Sequence, residues 1–246
     1  MKYGDELYPK KFRDQDTIFH NLKLMLTYFK ENHFHIPKFD FFSGEIWHTD
    51  FGIKLLISLL AEIKSGLEIE MVMIPSNFTF IKYDDKVKQI ETLIDEYSKA
   101  GSMLCFSASV DGKYSENKTR PFKDNNIPDD EYWDKLFKFC KKHEFGFHPM
   151  MSAYDIENYK QNYTWFMEKI KDYGFLDNSN FACDIYKYIM FLEVRNNDWT
   201  EDKLEKYIDA LNYSCEYDIE NIWSKDQNGI EYLISRMLGN TYTVPE

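Results

Sequence analysis

Leu67-Glu68-Ile69-Glu70-Met71-Val72-Met73-Ile74-Pro75-Ser76-Asn77 is the stretch on which the fold class turns. Residues 67 to 74 predict a strand, apolar on both faces in its second half, and the run stops at the polar pair Ser76-Asn77. A helical pattern follows over Lys86 to Lys99, with Val87, Ile90, Leu93, Ile94 and Tyr97 on one stripe and Gly101 closing it. Met103 to Val110 is then a second strand. Strand, helix and strand in this order make a βα unit, and parallel strands need such a crossover.

The same alternation extends in both directions. Upstream, Ile18, Leu22, Met25, Leu26 and Phe29 form a helical stripe behind the capping candidates Asp14 and Asp16, and a strand is expected near Lys38 to Ser43. Leu55, Leu56, Leu59, Leu60 and Ile63 mark the next helix, capped at Thr49 or Asp50 and ending near Ser65-Gly66. Downstream, helices are expected from about Asp129, from Ile156 to Tyr173 and from Glu201 to about Ser214, with a last one near Gly229 to Leu238. Strands are expected at Phe145 to Met151 and Ile185 to Val194. The order is α, then βα five times. It predicts an α/β fold with a parallel sheet, built as a partial (βα) TIM-like barrel of about five βα units after an N-terminal helix. Residues 1–215 would form that barrel and 216–246 a C-terminal helical extension.

Polar residues recur where each strand runs out. The five ends are Phe41-Phe42-Ser43-Gly44-Glu45, Ile74-Pro75-Ser76-Asn77, Phe106-Ser107-Ala108-Ser109-Val110-Asp111-Gly112, His148-Pro149-Met150-Met151-Ser152 and Phe191-Leu192-Glu193-Val194-Arg195-Asn196. In parallel α/β proteins the carboxyl ends of the strands open on one face, and that face binds ligands. Successive loops of this kind predict one composite site.

Composition narrows the classes. The 246 residues are 43% hydrophobic and 29% charged, which suits a globular chain with a substantial core. A net charge of −12 opposes a chain that neutralises phosphates, so nucleic acid is not the expected partner. No stretch reaches the ~20 apolar residues that span a bilayer, and Met1-Lys2-Tyr3-Gly4-Asp5-Glu6 is no signal peptide. No membrane and a cytoplasmic location are expected. The four cysteines, Cys105, Cys140, Cys183 and Cys215, are widely spaced, as buried reduced thiols would be, whereas metal centres announce themselves by short spacings.

These motifs resemble those of the radical S-adenosylmethionine (SAM) superfamily. Ser43-Gly44-Glu45 looks like that family's Gly-Gly-Glu segment, and Ser76-Asn77 sits where many members carry Thr-Asn or Ser-Asn. Ser107-x-Ser109-Val110-Asp111-Gly112, with Arg120-Pro121 after it, looks like the serine-rich strand end and its following loop. Leu192-Glu193-Val194-Arg195-Asn196-Asn197-Asp198-Trp199-Thr200 resembles late-strand segments of peptide-modifying and anaerobic-maturase-like members. The resemblance covers about residues 14 to 215. It implies SAM as cofactor, with Ser43, Gly44, Glu45, Ser76, Asn77, Ser107, Ser109, Asp111, Glu193 and Arg195 as binding residues. Glu45 would accept hydrogen bonds from the ammonium, while Ser107, Ser109 and Asp111 would face the carboxylate and ribose. It also implies a [4Fe–4S] cluster, SAM cleavage and a substrate class that includes peptides.

The departures matter equally. The family's C-x-x-x-C-x-x-C loop and the strand before it are absent, Ser43 replaces a glycine and Ile46 replaces a proline. The resemblance therefore implies a radical SAM enzyme only if a cluster-binding segment complements the chain, as in a fragment or a split enzyme. The other reading is a non-catalytic module that binds a SAM-like ligand or a partner. Each motif also has an ordinary explanation. Ser43-Gly44-Glu45 and Asp111-Gly112 suit plain turns. Glu193 and Arg195 suit a structural ion pair, and His33-x-His35 suits a helix end better than a metal. A first strand without an outer neighbour predicts self-association or complementation at that edge.

Overall fold

The computed structural model describes residues 14–41, 45–46, 50–114, 129–147, 149–151, 155–175, 191–192 and 199–221. The chain divides into two compact units, Met1–Ser107 and Ala108–Glu246. In the first, the elements run α1 (Gln15–Glu31), β1 (His35–Asp40), α2 (Asp50–Lys64), β2 (Glu68–Ser76), a 3-10 turn (Thr79–Lys82), α3 (Asp84–Lys99) and β3 (Met103–Ala108). The unit boundary falls inside β3. The second unit carries α4 (Asp130–His143), β4 (Met150–Met151), a 3-10 turn (Ile156–Asn158), α5 (Tyr159–Asp172), β5 (Phe191–Leu192) and α6 (Glu201–Asn221).

The fold is mixed α/β with a three-stranded parallel sheet in the order β1-β2-β3. In its register Ile36 pairs with Ile69, Lys38 with Met71 and Asp40 with Met73. In the second unit β4 and β5 pair in parallel through Met150 with Phe191 and Met151 with Leu192. The helix expected near Gly229 to Leu238, the loop 115–128 and most of the expected strand Ile185 to Val194 lie outside the described residues.

Helices α1 and α4 begin at acidic caps. Asp14 accepts hydrogen bonds from the Asp16 and Thr17 amides at 3.4 and 3.1 Å, which satisfies donors the first turn leaves open, and the bond from the Thr17 hydroxyl, then that from the Thr17 amide, lowers the Asp14 pKa. Asp129 accepts a hydrogen bond from the Tyr132 amide at 2.9 Å.

One device recurs at the other ends. Each of α1 to α5 is followed by a residue in the left-handed region: His33 (φ 56°), Gly66 (φ 107°), Gly101 (φ 80°), Glu144 (φ 56°) and Gly174 (φ 69°). The amide of the residue after it returns to a carbonyl of the last turn: Phe34 to Phe29, Leu67 to Glu62, Ser102 to Tyr97, Phe145 to Cys140 and Phe175 to Ile170, at 2.9 to 3.1 Å. This is the Schellman closure, and an apolar contact across it is common. The Phe29 and Phe34 rings meet at 5.4 Å.

That closure corrects the expected first strand. Extended structure begins at His35 rather than near Lys38, because Asn32-His33 ends α1 and releases the chain directly into β1. The same geometry gives His33 a backbone role. Helix α6 likewise runs to Asn221, beyond the end expected near Ser214.

The core of the first unit is aliphatic. Leu56, Leu59, Val72, Ile74 and Ile90 are fully buried, each contributing about 1.5–3 kcal/mol relative to exposure. The buried Tyr97 hydroxyl donates to the Leu56 carbonyl at 2.8 Å and ties α3 to α2. The second core is aromatic: Phe137 contacts Phe147, Phe166, Phe175, Trp165 and Tyr173 at ring separations of 5.1 to 6.3 Å. These rings interlock edge to face, with Phe137 and Tyr173 stacked.

Candidate functional site

The strand ends of the first unit bring together residues distant in sequence. Ser76, the last residue of β2, donates from Oγ to Glu45 Oε1 at 2.7 Å. The Asn77 amide donates to Glu45 Oε2, also at 2.7 Å. Both carboxylate oxygens are thereby fixed, and their short contacts suit hydrogen bonds to a charged acceptor.

The donors are themselves held. Ser76 is 2% exposed, and its Oγ accepts from the Phe78 amide at 3.0 Å. Asn77 Oδ1 accepts from the Thr79 amide at 3.1 Å and from the Thr79 hydroxyl at 2.9 Å. Such side-chain-to-backbone bonds substitute for a backbone turn. They support Phe78 at φ 57°, a left-handed conformation costly for a residue with a Cβ. The buried Phe78 ring anchors the turn by contacting Phe80 and Phe106 at 5.3 and 5.9 Å.

Gly52, in the first turn of α2, supports the other side. A Cβ there would lie 1.9 Å from the Ile46 carbonyl oxygen, so the backbone next to Glu45 passes where any side chain would stand. Sequence reasoning missed Gly52, Phe78 and Thr79. Only Thr79 left a signal, as Asn77-x-Thr79 is the spacing of a side-chain-capped turn.

Asp111 and Gly112 belong to the second unit. Asp111 is 3% exposed, and its carbonyl accepts from Asn162 Nδ2 at 2.6 Å. Asn162 Oδ1 in turn accepts from the Tyr114 amide at 3.0 Å. Gly112 has φ 102°, and a Cβ would come within 2.4 Å of Asn162 Oδ1. A fully buried asparagine on α5 thus shapes this turn, and nothing in the sequence singled it out. Ser107 and Ser109 are half-buried on either side of the unit boundary. Ser43, Gly44, Glu193 and Arg195 lie outside the described residues. Of the ten residues named from sequence, the structure therefore joins Glu45, Ser76 and Asn77 by hydrogen bonds.

Among the described residues the cysteines do not fit an iron–sulfur cluster. Cys105 lies on β3, Cys140 inside α4 and Cys215 in α6, the last two buried. Burial raises the Cys105 pKa and pushes that of Cys140 well up, opposing the thiolate a cluster needs. Among the described residues no group of three His, Cys, Asp or Glu side chains is placed to hold a metal ion. Cys183 lies outside them.

A cleft of about 360 Å³ opens at the opposite, amino-terminal ends of β1 and β2, lined by His35, Glu68, Glu70, Ile63, Leu67 and Gly101. His35 sits between Glu68 at 3.4 Å and Glu70 at 2.9 Å, all of them exposed, and this cross-strand pairing supports the sheet register. No family model, curated protein or solved structure matches the chain. Among the described residues no helix is long and apolar enough to cross a membrane.

Proposed function

We propose that this chain binds a ligand with an amino-acid head group, of the S-adenosylmethionine class, at the strand ends of its first unit. The observation that supports it is the Glu45 carboxylate, gripped by Ser76 Oγ and the Asn77 amide where β2 ends. A carboxylate accepts about four hydrogen bonds. Ser76 and Asn77 fix the direction of this one, and an ammonium is the cation that a carboxylate so held pairs with. On this reading the sheet continues into a partial (βα) barrel of the radical SAM type.

The cluster half of that chemistry does not fit this chain's described cysteines, so the reading is a binding module. SAM cleavage would require cluster ligands supplied by a complementing segment. Anaerobic reconstitution of the chain alone, followed by iron analysis and low-temperature EPR, should give no stoichiometric [4Fe–4S] signal. A cluster lost on substituting two or more of the four cysteines would overturn this.

The binding test is calorimetry with SAM and with S-adenosylhomocysteine. Weak affinity is expected for the wild type, and about tenfold less for Glu45→Gln, which loses one charge-assisted bond. Equal affinity in both proteins would remove Glu45 from the site, and no binding to wild type would end the proposal.

A further inference from the structure

We propose that β1 is a self-complementary edge through which two copies of this chain pair antiparallel, joining their sheets about a two-fold axis. The backbone of β1 alternates in direction, so its groups divide between two edges. The Phe41 amide donates to the Met73 carbonyl at 3.0 Å, which assigns Phe41, Phe39 and Pro37 to the β2 side. The register skips Pro37, whose missing N–H falls on that same side. Lys38 and Asp40 therefore turn their N–H and C=O groups outward. Among the described residues no strand lies beyond them.

Natural proteins protect such an edge with proline or lysine. Neither works here in the usual way. Pro37 leaves the outer hydrogen bonds intact, and the charge of Lys38 is matched two residues on by Asp40, 2.9 Å away on the same strand. Both side chains are accessible, at 50% and 32% exposure.

These residues select the occupant and its register. With Phe39 opposite Phe39 of the second copy, Lys38 faces Asp40 and Asp40 faces Lys38. Both of those are hydrogen-bonded positions, where facing residues exchange N–H···O bonds. A shift of two residues either way sets Lys38 against Lys38 or Asp40 against Asp40, and like charges directly opposite are destabilising. The edge thus fits a second copy of itself in one alignment. This inference does not depend on the ligand proposed above.

Sedimentation velocity on the full chain tests it by charge exchange. The wild type should show a concentration-dependent dimer. Lys38→Glu places acid against acid at both positions and Asp40→Lys places base against base, so each variant alone should dimerise about tenfold more weakly. Mixed together, they restore opposite charges at both positions and should form a heterodimer close to wild-type strength. Hydrogen exchange supplies a second readout: on dimerisation the Lys38 and Asp40 amides gain protection, while those of Phe39 and Phe41 are protected already. A wild type that stays monomeric, a dimer that both variants leave unchanged, or a mixture that does not rescue would overturn the proposal.

Discussion

At the residue scale, five helices close on a left-handed residue, and the sequence shows this where that residue is glycine. Gly66 and Gly101 could be read as helix stops, whereas His33 and Glu144 could not, because nothing in their side chains announces a positive φ. A Cβ at Gly66 would meet nothing within 4 Å, so Gly66→Ala carries backbone strain alone and should cost about 1 kcal/mol. Glu144→Gly should do the reverse, relieving strain at the expense of unfolded-state entropy, with a net gain of about 0.5 kcal/mol. Urea denaturation checks both, and a destabilised Glu144→Gly would mean that its side chain holds the turn. Site residues divide the same way. Glu45, Ser76 and Asn77 stood out because polar groups after a buried strand are conspicuous. Gly52 and Asn162 did not, since a close approach or a buried amide is a property of the neighbour and not of the residue's own segment.

At the element scale, helices were the most legible part, because their apolar stripes persist over several turns. The first strand was displaced by three residues, since its start is set by the closure of α1 rather than by its own pattern. The joins between helices were hidden, as they rest on residues over thirty positions apart. Lys64 on α2 lies 2.6 Å from Glu96 on α3, and Lys99 lies 2.9 Å from the same carboxylate. The hydrogen bond from Lys64, then that from Lys99, lowers the Glu96 pKa to about 2. A depressed carboxylate supports the fold above its unfolded pKa, near 4.3, and loses that support as pH falls through about 2. Carbon-detected NMR titration should place Glu96 there, and Lys64→Met should raise it. The group is exposed, so the gain in stability is small. The buried bond from Tyr97 matters more: Tyr97→Phe should cost about 1 kcal/mol by thermal denaturation.

At the scale of the whole molecule, the βα order predicted an α/β fold and the structure bears that out, while the division into two units left no mark in composition. The reason is that the division runs through a strand and not through a linker. Leu104 and Phe106 of β3 are buried and fall in the first unit, while the buried Val110 and Asp111 fall in the second. The chain passes from one unit to the other inside β3 with no linker between them, and on that ground we predict that they unfold together. Tryptophan separates the signals: Trp133, Trp165, Trp199 and Trp223 belong to the second unit and only Trp47 to the first. In a Trp47→Phe background, emission reports the second unit while far-UV circular dichroism reports both. Leu59→Ala then empties a fully buried position in the first unit at a cost of about 2–5 kcal/mol. With cooperative unfolding, the emission midpoint in urea falls as far as the dichroism midpoint, although every tryptophan lies in the other unit. An emission midpoint that stays put while dichroism develops an earlier step would show that β3 does not couple the two cores.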